Sequence, residues 1–133
     1  MPENNDPFPN KEYRDQEFAK ADMSGTNFNG VQMSNAQFWV VLENAKFNDS
    51  NLQKCVFDDV NLSQSKYENV NLSGSVYEGV DLSGAKYNNI NLSNSTFSHL
   101  NLSNAKIKDA NIEGMRINGV LVTDLFEAWE KRS

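Results

Sequence analysis

Large apolar residues return at every fifth position along most of the chain. The segment VNLSGSVYEGVDLSGAKY, residues 70–87, places Leu72, Tyr77, Leu82 and Tyr87 at this spacing. In an α-helix five residues turn the chain by about 500°, so a period-five stripe would wind around the surface. In a straight strand an odd spacing sends successive side chains to opposite faces. Apolar residues spaced by five all face a common axis if the chain turns a corner once per five residues. Four such segments then close one square coil.

This register extends from Tyr13 to Ile117 with one irregularity, the four-residue step from Phe38 to Leu42. It gives 22 units, or five and a half coils, and a rod on the order of 26 Å long at about 4.8 Å per coil. All seven glycines lie two residues after an apolar centre, and Asn often takes the same slot. Both residues tolerate tight or left-handed turns, which supports a corner there.

The sizes of an apolar centre and of the residue two positions before it compensate each other, so that the largest centres follow the smallest residues. Between residues 55 and 102, Leu centres follow Val, Ile or Leu, whereas aromatic centres follow Cys, Ser or Ala. Both positions are expected to face inward, with aliphatic pairs on one opposed pair of walls and aromatic pairs on the other. Cys55 is interpreted as a small core residue. The tyrosine hydroxyls need partners, for which Ser65 and Ser75 are available, unless the hydroxyls reach out at a corner.

Units such as Ala-Asp-Met-Ser-Gly at 21–25 and Val-Asp-Leu-Ser-Gly at 80–84 resemble the repeat of the pentapeptide-repeat family. The resemblance covers roughly residues 13 to 122. It implies an all-β fold, the right-handed quadrilateral β-helix, with about five coils here. The hand and the turn types come from the family rather than from the spacing. Residues 1–12, which hold all three prolines, are predicted to be a mobile tail.

The irregular step lies in AQFWVVLENAKF, residues 36–47. It places Trp39 at a normally outward position and Val41 where the family prefers Asp or Asn. One interpretation is a local bend in which Trp39 folds over its neighbours. The other is an exposed apolar spot that contacts a protein partner.

Outward positions beside the aliphatic centres are mostly Asn and Ser, which we expect to hydrogen-bond in ladders along the wall. One aromatic wall is predicted to carry a column of lysines instead, in which solvent, Asp49 and Glu68 temper the repulsion. The opposed wall carries a small acidic patch of Asp58, Asp59 and Glu78. The lysine column consists of Lys46, Lys66, Lys86 and Lys106.

Residues 123–133 leave the five-residue register and are predicted to form a short α-helix. Asp124 is the expected N-cap, with Glu127 three residues later, and the basic residues 131–132 suit the negative end of the helix dipole. The apolar side chains on one side of this helix either cover the last coil or form a homodimer contact, as C-terminal segments do in characterised family members. They are Leu125, Phe126 and Trp129.

Residue types that carry chemistry are scarce. His99 is the only histidine and Cys55 the only cysteine, so no metal site, cofactor site or catalytic triad is predicted. Asp58 and Asp59 are adjacent and both outward, which is poor geometry for an acid and base pair. The net charge of −6 disfavours nucleic acid or an anionic membrane as the main partner.

The sequence has no recognisable secretory signal and no apolar run long enough to span a bilayer, which favours a cytoplasmic protein. The leading hypothesis is a non-enzymatic scaffold whose flat walls bind an unknown protein. The alternative comes from the family resemblance: an acidic rod that mimics DNA and binds DNA gyrase, as quinolone-protecting relatives do. The lysine column and the short rod count against that alternative.

Overall fold

The structure is a computed structural model and describes residues 17–132. Within this range the chain coils into a quadrilateral β-solenoid of about five turns, followed by one short helix. Backbones one turn apart pair in parallel, as in the series Phe38, Phe57, Tyr77 and Phe97. The strands are β1 Glu17–Asp22, β2 Asn27–Asn29, β3 Gln37–Val41, β4 Lys46–Asn48, β5 Val56–Asp58, β6 Lys66–Glu68, β7 Val76–Glu78, β8 Lys86–Asn91, β9 Thr96–Ser98, β10 Lys106–Asn111, β11 Arg116–Ile117 and β12 Val120–Leu121, and the helix is α1 Val122–Glu130.

Two opposed walls of the coil form continuous sheets in the described residues. Their strand orders are β1-β3-β5-β7-β9-β11-β12 for the seven-stranded sheet and β10-β8-β6-β4-β2 for the five-stranded sheet. These are the walls with aromatic centres. Between them, the Leu-centred walls pair mainly through isolated bridges such as Asn61 to Asp81. The predicted division into aromatic and aliphatic walls is confirmed.

Each corner uses backbone with positive φ. Every apolar centre from Met23 to Ile117, except Phe38, is followed two residues later by a residue with positive φ. Gly84 has φ of 67° and Asn44 has φ of 61°, in the region that Gly and Asn adopt most readily. The corner assignment made from the glycines is therefore confirmed for all of them except Gly119, which lies in a hairpin.

The irregular step is a missing corner. Ala19 pairs with Trp39 and Ala21 pairs with Val40, so Lys20 has no counterpart one coil later. Lys20 has the positive φ of a corner residue, 56°, whereas β3 runs straight through five residues. Deleting the corner residue leaves the inward and outward alternation intact, because Phe38 and Val40 both stay buried.

The interior consists of ladders of like side chains. On the seven-stranded sheet the ring centroids of Phe38, Phe57, Tyr77 and Phe97 are 4.9, 4.7 and 4.4 Å apart in turn. A second aromatic stack lines the five-stranded sheet, and fully buried Leu ladders line the other walls. Cys55 is buried among them, where burial raises the pKa of its thiol to about 12, so it is an inert core residue.

The three tyrosines in the core do not find the expected partners. The hydroxyls of Tyr67, Tyr77 and Tyr87 are buried without a hydrogen bond among the described residues. Ser65 lies close, but its hydroxyl donates to the Leu62 carbonyl at 2.6 Å. The Ser75 hydroxyl likewise donates to a backbone carbonyl, that of Leu52. The three hydroxyls are buried, so the expectation that they exit at a corner is wrong. Burial raises the pKa of all three phenols above the ordinary value.

The outward Asn side chains do not form the expected hydrogen bonds along the wall. The Asn61 side-chain oxygen accepts the backbone N–H of Ser63 at 2.9 Å, within its own unit rather than along the wall. The Asp81 side-chain oxygen accepts the backbone N–H of Ser83 in the same way. Asp can replace Asn here because the turn needs only a side-chain oxygen that accepts the N–H two residues later. This turn cap recurs at Asp22, Asn51, Asn61, Asn71, Asp81, Asn91, Asn101 and Asn111.

A β-hairpin ends the solenoid. Asn118 and Gly119 have φ of 50° and 83° and join β11 to the antiparallel β12. Two consecutive positive φ values are typical of the type I′ hairpin turn, for which Asn-Gly is the preferred sequence. Gly119 is therefore a hairpin residue and not the ordinary corner that the spacing suggested.

The helix α1 begins earlier than predicted. Leu121 is its N-cap and makes no side-chain capping bond, so the assignment of Asp124 as N-cap is wrong. The reason is the hairpin: it lets the Val122 N–H donate to the Met115 carbonyl at 3.0 Å, so the helix starts from a backbone contact. Asp124 lies in the first turn instead, where its charge suits the helix dipole.

The predicted tail, residues 1–12, and the first unit at Tyr13 lie outside the described residues. No helix in the described range has the length and apolar character needed to cross a membrane.

The missing corner generates a prediction about insertions. One Asn inserted between Trp39 and Val40 supplies the corner that other coils possess, so we expect the melting temperature to change by less than about 4 °C. The same insertion between Tyr67 and Glu68 forces an extra residue into the parallel ladder and should lower the melting temperature by at least about 8 °C. Thermal melts by circular dichroism measure both; equal losses would contradict this register.

The buried phenols predict alkaline unfolding. A phenol whose pKa is raised in the folded state stabilises the fold fully below about pH 10, the ordinary tyrosine value, and less as the pH rises further. Replacing Tyr67, Tyr77 and Tyr87 together by Phe should therefore flatten the fall in melting temperature between about pH 9.5 and 11.5. The chain has a fourth tyrosine, Tyr13, outside the described residues. Absorbance of more than one phenolate per chain near pH 10, while the circular dichroism stayed native, would therefore contradict the burial of these three.

Candidate functional site

The straight strand β3 brings two apolar side chains onto one outward face. Gln37, Trp39 and Val41 alternate with the buried Phe38 and Val40. Trp39 is 48% exposed and Val41 is 37% exposed. Because they are two residues apart on one strand, their Cβ atoms lie about 7 Å apart on the same side. With a normal corner between them they would lie on different walls. We call Trp39 and Val41 the apolar spot.

The two residues of the apolar spot make few contacts that stabilise the coil. The only aromatic contact described for Trp39 in residues 20–132 is with Lys20, whose Nζ lies 5.0 Å from the ring centroid. Val41 occupies the slot in which Asp22, Asn61 and Asp81 cap the following turn, and a valine cannot accept that hydrogen bond. Trp39 therefore contacts Lys20 of the preceding coil and still exposes about half of its side chain.

The four lysines of the lysine column pair in register along the five-stranded sheet. Lys46 lies beside Lys66, Lys66 beside Lys86, and Lys86 beside Lys106. All four are exposed, and none forms an ion pair with a carboxylate in the part of the chain that the structure describes. The predicted column is thus present, and its charge is tempered by solvent and by Glu68 on the same face of β6 rather than by ion pairs.

The acidic patch on the seven-stranded sheet includes a contact that the sequence did not suggest. The Glu78 carboxylate lies 2.8 Å from Nδ1 of His99, although the two residues are 21 positions apart. Asp58 and Asp59 are exposed one coil earlier. The signal that could have located this contact is the coil length of 20 residues, which places His99 one coil and one residue beyond Glu78.

The C-terminal end of the rod exposes apolar surface. In α1 only Val122 is buried, whereas Leu125, Phe126 and Trp129 are 48%, 56% and 60% exposed. The Arg132 guanidinium lies 3.2 Å from the centroid of the Trp129 ring. Ile107, which continues the aromatic stack of the five-stranded sheet, is also 41% exposed. The helix therefore leaves the last coil of that sheet uncovered.

Groups that could perform metal chemistry do not meet in this range. No cluster of three or more His, Cys, Asp or Glu side chains that could hold a metal ion occurs among the described residues. The candidate sites described above are therefore surfaces: the apolar spot, the lysine column, the acidic patch and the exposed side of α1.

Two family models match the sequence. A model of pentapeptide repeats in eight copies matches residues 14–38, and a model of the SV2A/B/C luminal domain matches residues 29–97. The chain belongs to the pentapeptide-repeat family. Its longer match, over about half of the chain, also makes it a member of the family that the luminal-domain model describes. The word luminal refers to the proteins after which that model is named and assigns no compartment to this pentapeptide-repeat protein.

Solved structures of pentapeptide-repeat proteins match at low identity. Rfr23 from the cyanobacterium Cyanothece 51142 is 19% identical with a TM-score of 0.45, over 73% of this chain and 60% of Rfr23, so this chain spans less than two thirds of that protein. QnrB1, a plasmid-mediated fluoroquinolone resistance protein, is 18% identical with a TM-score of 0.24, over 85% of this chain and 84% of QnrB1.

HetL, a pentapeptide-repeat protein involved in heterocyst differentiation regulation in the cyanobacterium Nostoc, is 11% identical with a TM-score of 0.23. That match covers 79% of this chain and 93% of HetL. No curated protein matches this chain significantly. These likenesses concern the fold and carry no argument about the partner.

Proposed function

We propose that this pentapeptide-repeat protein is a non-enzymatic cytoplasmic scaffold that holds a protein partner against its β-helical wall, with Trp39 and Val41 as the contact. The observation that supports the proposal is the pair of exposed apolar side chains on the outward face of β3. Aromatic side chains that are exposed in the free protein and buried on binding often dominate the energy of protein interfaces.

The sequence of β3 supports the same proposal, because it departs from the repeat at three points together. A corner is missing, an outward slot holds Trp39, and the capping slot holds Val41. Val41 removes a hydrogen bond that other coils make, and such a cap contributes about 1 kcal/mol to stability. Departures that stabilise nothing in the free chain are expected where a surface serves binding.

The alternative function is an acidic DNA mimic that binds DNA gyrase. The net charge of −6 is compatible with it. A duplex mimic needs acidic groups along its length, however, and one of the four walls here carries the lysine column instead. On the opposite wall Glu78 is engaged by His99. We therefore prefer the scaffold.

The proposal is tested by removing the apolar spot without disturbing the coil. Trp39→Ser combined with Val41→Asn restores residue types found at these slots in other coils, and the new Asn can cap its turn, so the melting temperature should not fall. We expect quantitative affinity capture from the native host to lose at least one specific protein when this variant replaces the wild type. Direct binding by the recovered, purified protein then gives the affinity change, which should exceed tenfold.

The matched control is Val76→Asn, which removes an exposed apolar side chain from the seven-stranded sheet two coils away. It should capture the same proteins as the wild type. Identical captures by the wild type and the Trp39→Ser/Val41→Asn variant would reject the apolar spot as the contact.

We also propose that the protein forms a homodimer through Leu125, Phe126 and Trp129. Their exposure supports this, since three large apolar side chains on one short helix gain stability when a partner covers them. Ile107 adds apolar surface at the same end of the rod. A dimer related by a two-fold axis would cover the end of both solenoids.

Light scattering measures this association. The wild type should have twice the mass of one chain at micromolar concentration, and Trp129→Ala should shift it toward the monomer by weakening the association at least tenfold. Glu130→Ala, at the end of the same helix, is the control and should remain dimeric. A wild type that is monomeric, or a Trp129→Ala variant that is fully dimeric, would reject this contact.

A further inference from the structure

The lysine column is a regular array of positive charge on a flat wall. The four lysines occupy equivalent positions of β4, β6, β8 and β10, which pair in parallel with Lys46, Lys66, Lys86 and Lys106 in register. Strand spacing of about 4.8 Å makes the column about 14 Å long. Its direction is that of the rod axis, and the residues are fixed by backbone pairing rather than by side-chain contacts.

The surroundings of the column leave its charge available. On one side lies a corner column without charge, Asn44, Gln64, Gly84 and Asn104. On the other side only Glu68 opposes the lysines, between the neutral Asn48 and Asn88. The adjoining corner column holds two acids, Asp49 and Asp109. Asp49 accepts a hydrogen bond from the Asn69 side-chain amide at 3.0 Å, and neither acid forms an ion pair with a lysine among the described residues.

A column of like charges at this spacing is unfavourable in the free protein. Like charges directly opposite each other on neighbouring strands destabilise a sheet, and solvent screening reduces this cost without removing it. The sequence places lysine here in four successive coils, while the chain as a whole carries −6. An acidic partner would turn the repulsion into attraction and would also be steered toward this wall.

The spacing of the column selects the shape of the acidic partner. An α-helix presents one side chain per turn on a given face, at a pitch of about 5.4 Å, whereas an extended strand repeats on one face at about 6.7 Å. Over the three intervals of the column a helix drifts out of register by about 2 Å and a strand by about 6 Å. Lysine side chains are long enough to absorb the first drift but not the second.

We propose that the lysine column binds an acidic α-helix of a protein partner, lying along the rod axis with one carboxylate per turn. The proposal deepens the scaffold function above, because it gives the chemistry of one element that the scaffold would hold. It concerns the wall opposite the apolar spot, so the two surfaces can act independently.

The test uses a synthetic peptide as the probe. An alanine-rich, capped peptide of about 20 residues is long enough to be helical, with Glu at spacing i, i+4, i+7 and i+11 on one face. Titration into the isotopically labelled full chain, followed by backbone amide shifts in NMR, should perturb β4, β6, β8 and β10. The affinity should fall steeply between about 20 and 150 mM salt, since exposed charges are screened.

Three comparison probes carry the same number of negative charges: a helical peptide with its Glu residues distributed around the helix, an extended peptide with alternating Glu and Thr, and a single-stranded oligonucleotide. Each should bind at least fivefold more weakly than the one-face helix. Equal or tighter binding by any of them would overturn the assignment of a helical acidic partner.

Protein variants supply the second arm. Lys66→Gln with Lys86→Gln should weaken the one-face helix at least fivefold, whereas Lys54→Gln with Lys131→Gln, which removes two positive charges away from the column, should change it less than twofold. Equal effects of the two variants would overturn the proposal. Either failure leaves the apolar spot untouched, since Trp39→Ser with Val41→Asn tests that surface separately.

Discussion

Parallel backbone pairing one coil apart is the constraint on which the rest of the structure depends. A coil closes only if the chain turns at each corner and returns about 4.8 Å further along the axis. The turn requires positive φ at the corner, which the chain adopts at Gly and at non-glycine residues such as Lys54, Gln64 and His99. The strain of those non-glycine corners is tolerated because pairing above and below holds each coil in place.

This spacing acts on side chains without regard to their chemistry. Aromatic rings are brought into parallel stacks with centroids 4.3–5.0 Å apart, which fills the interior well. The same spacing holds three tyrosine hydroxyls in the core with no hydrogen bond to any residue that the structure describes, and it holds four lysines in a column outside. The geometry repeats favourable and unfavourable contacts alike. The lysine column is an unfavourable repeat on the surface, and a bound acidic partner would relieve its repulsion.

The departures from the repeat lie where the proposed contacts are. The missing corner straightens β3 and sets Trp39 and Val41 side by side. At the other end, the Asn118-Gly119 hairpin stops the coil and leads into α1, on which Leu125, Phe126 and Trp129 are exposed. The regular middle of the rod separates these two sites and keeps them at a constant distance, as expected of a scaffold.

The sequence by itself determined the period, the corners, the two kinds of wall and the position of the lysine column, because each depends only on which residues recur at five and at 20. It also placed Trp39 and Val41 outward, although not on one face. Which atoms meet depends on the tertiary structure: Asn61 caps its own turn, the core tyrosine hydroxyls are buried rather than exposed at a corner, and Asp124 is not the N-cap of α1. Hydrogen bonds depend on distances of a few tenths of an ångström, which a repeat pattern does not contain, and the hairpin that sets the helix start depends on backbone turns outside that pattern.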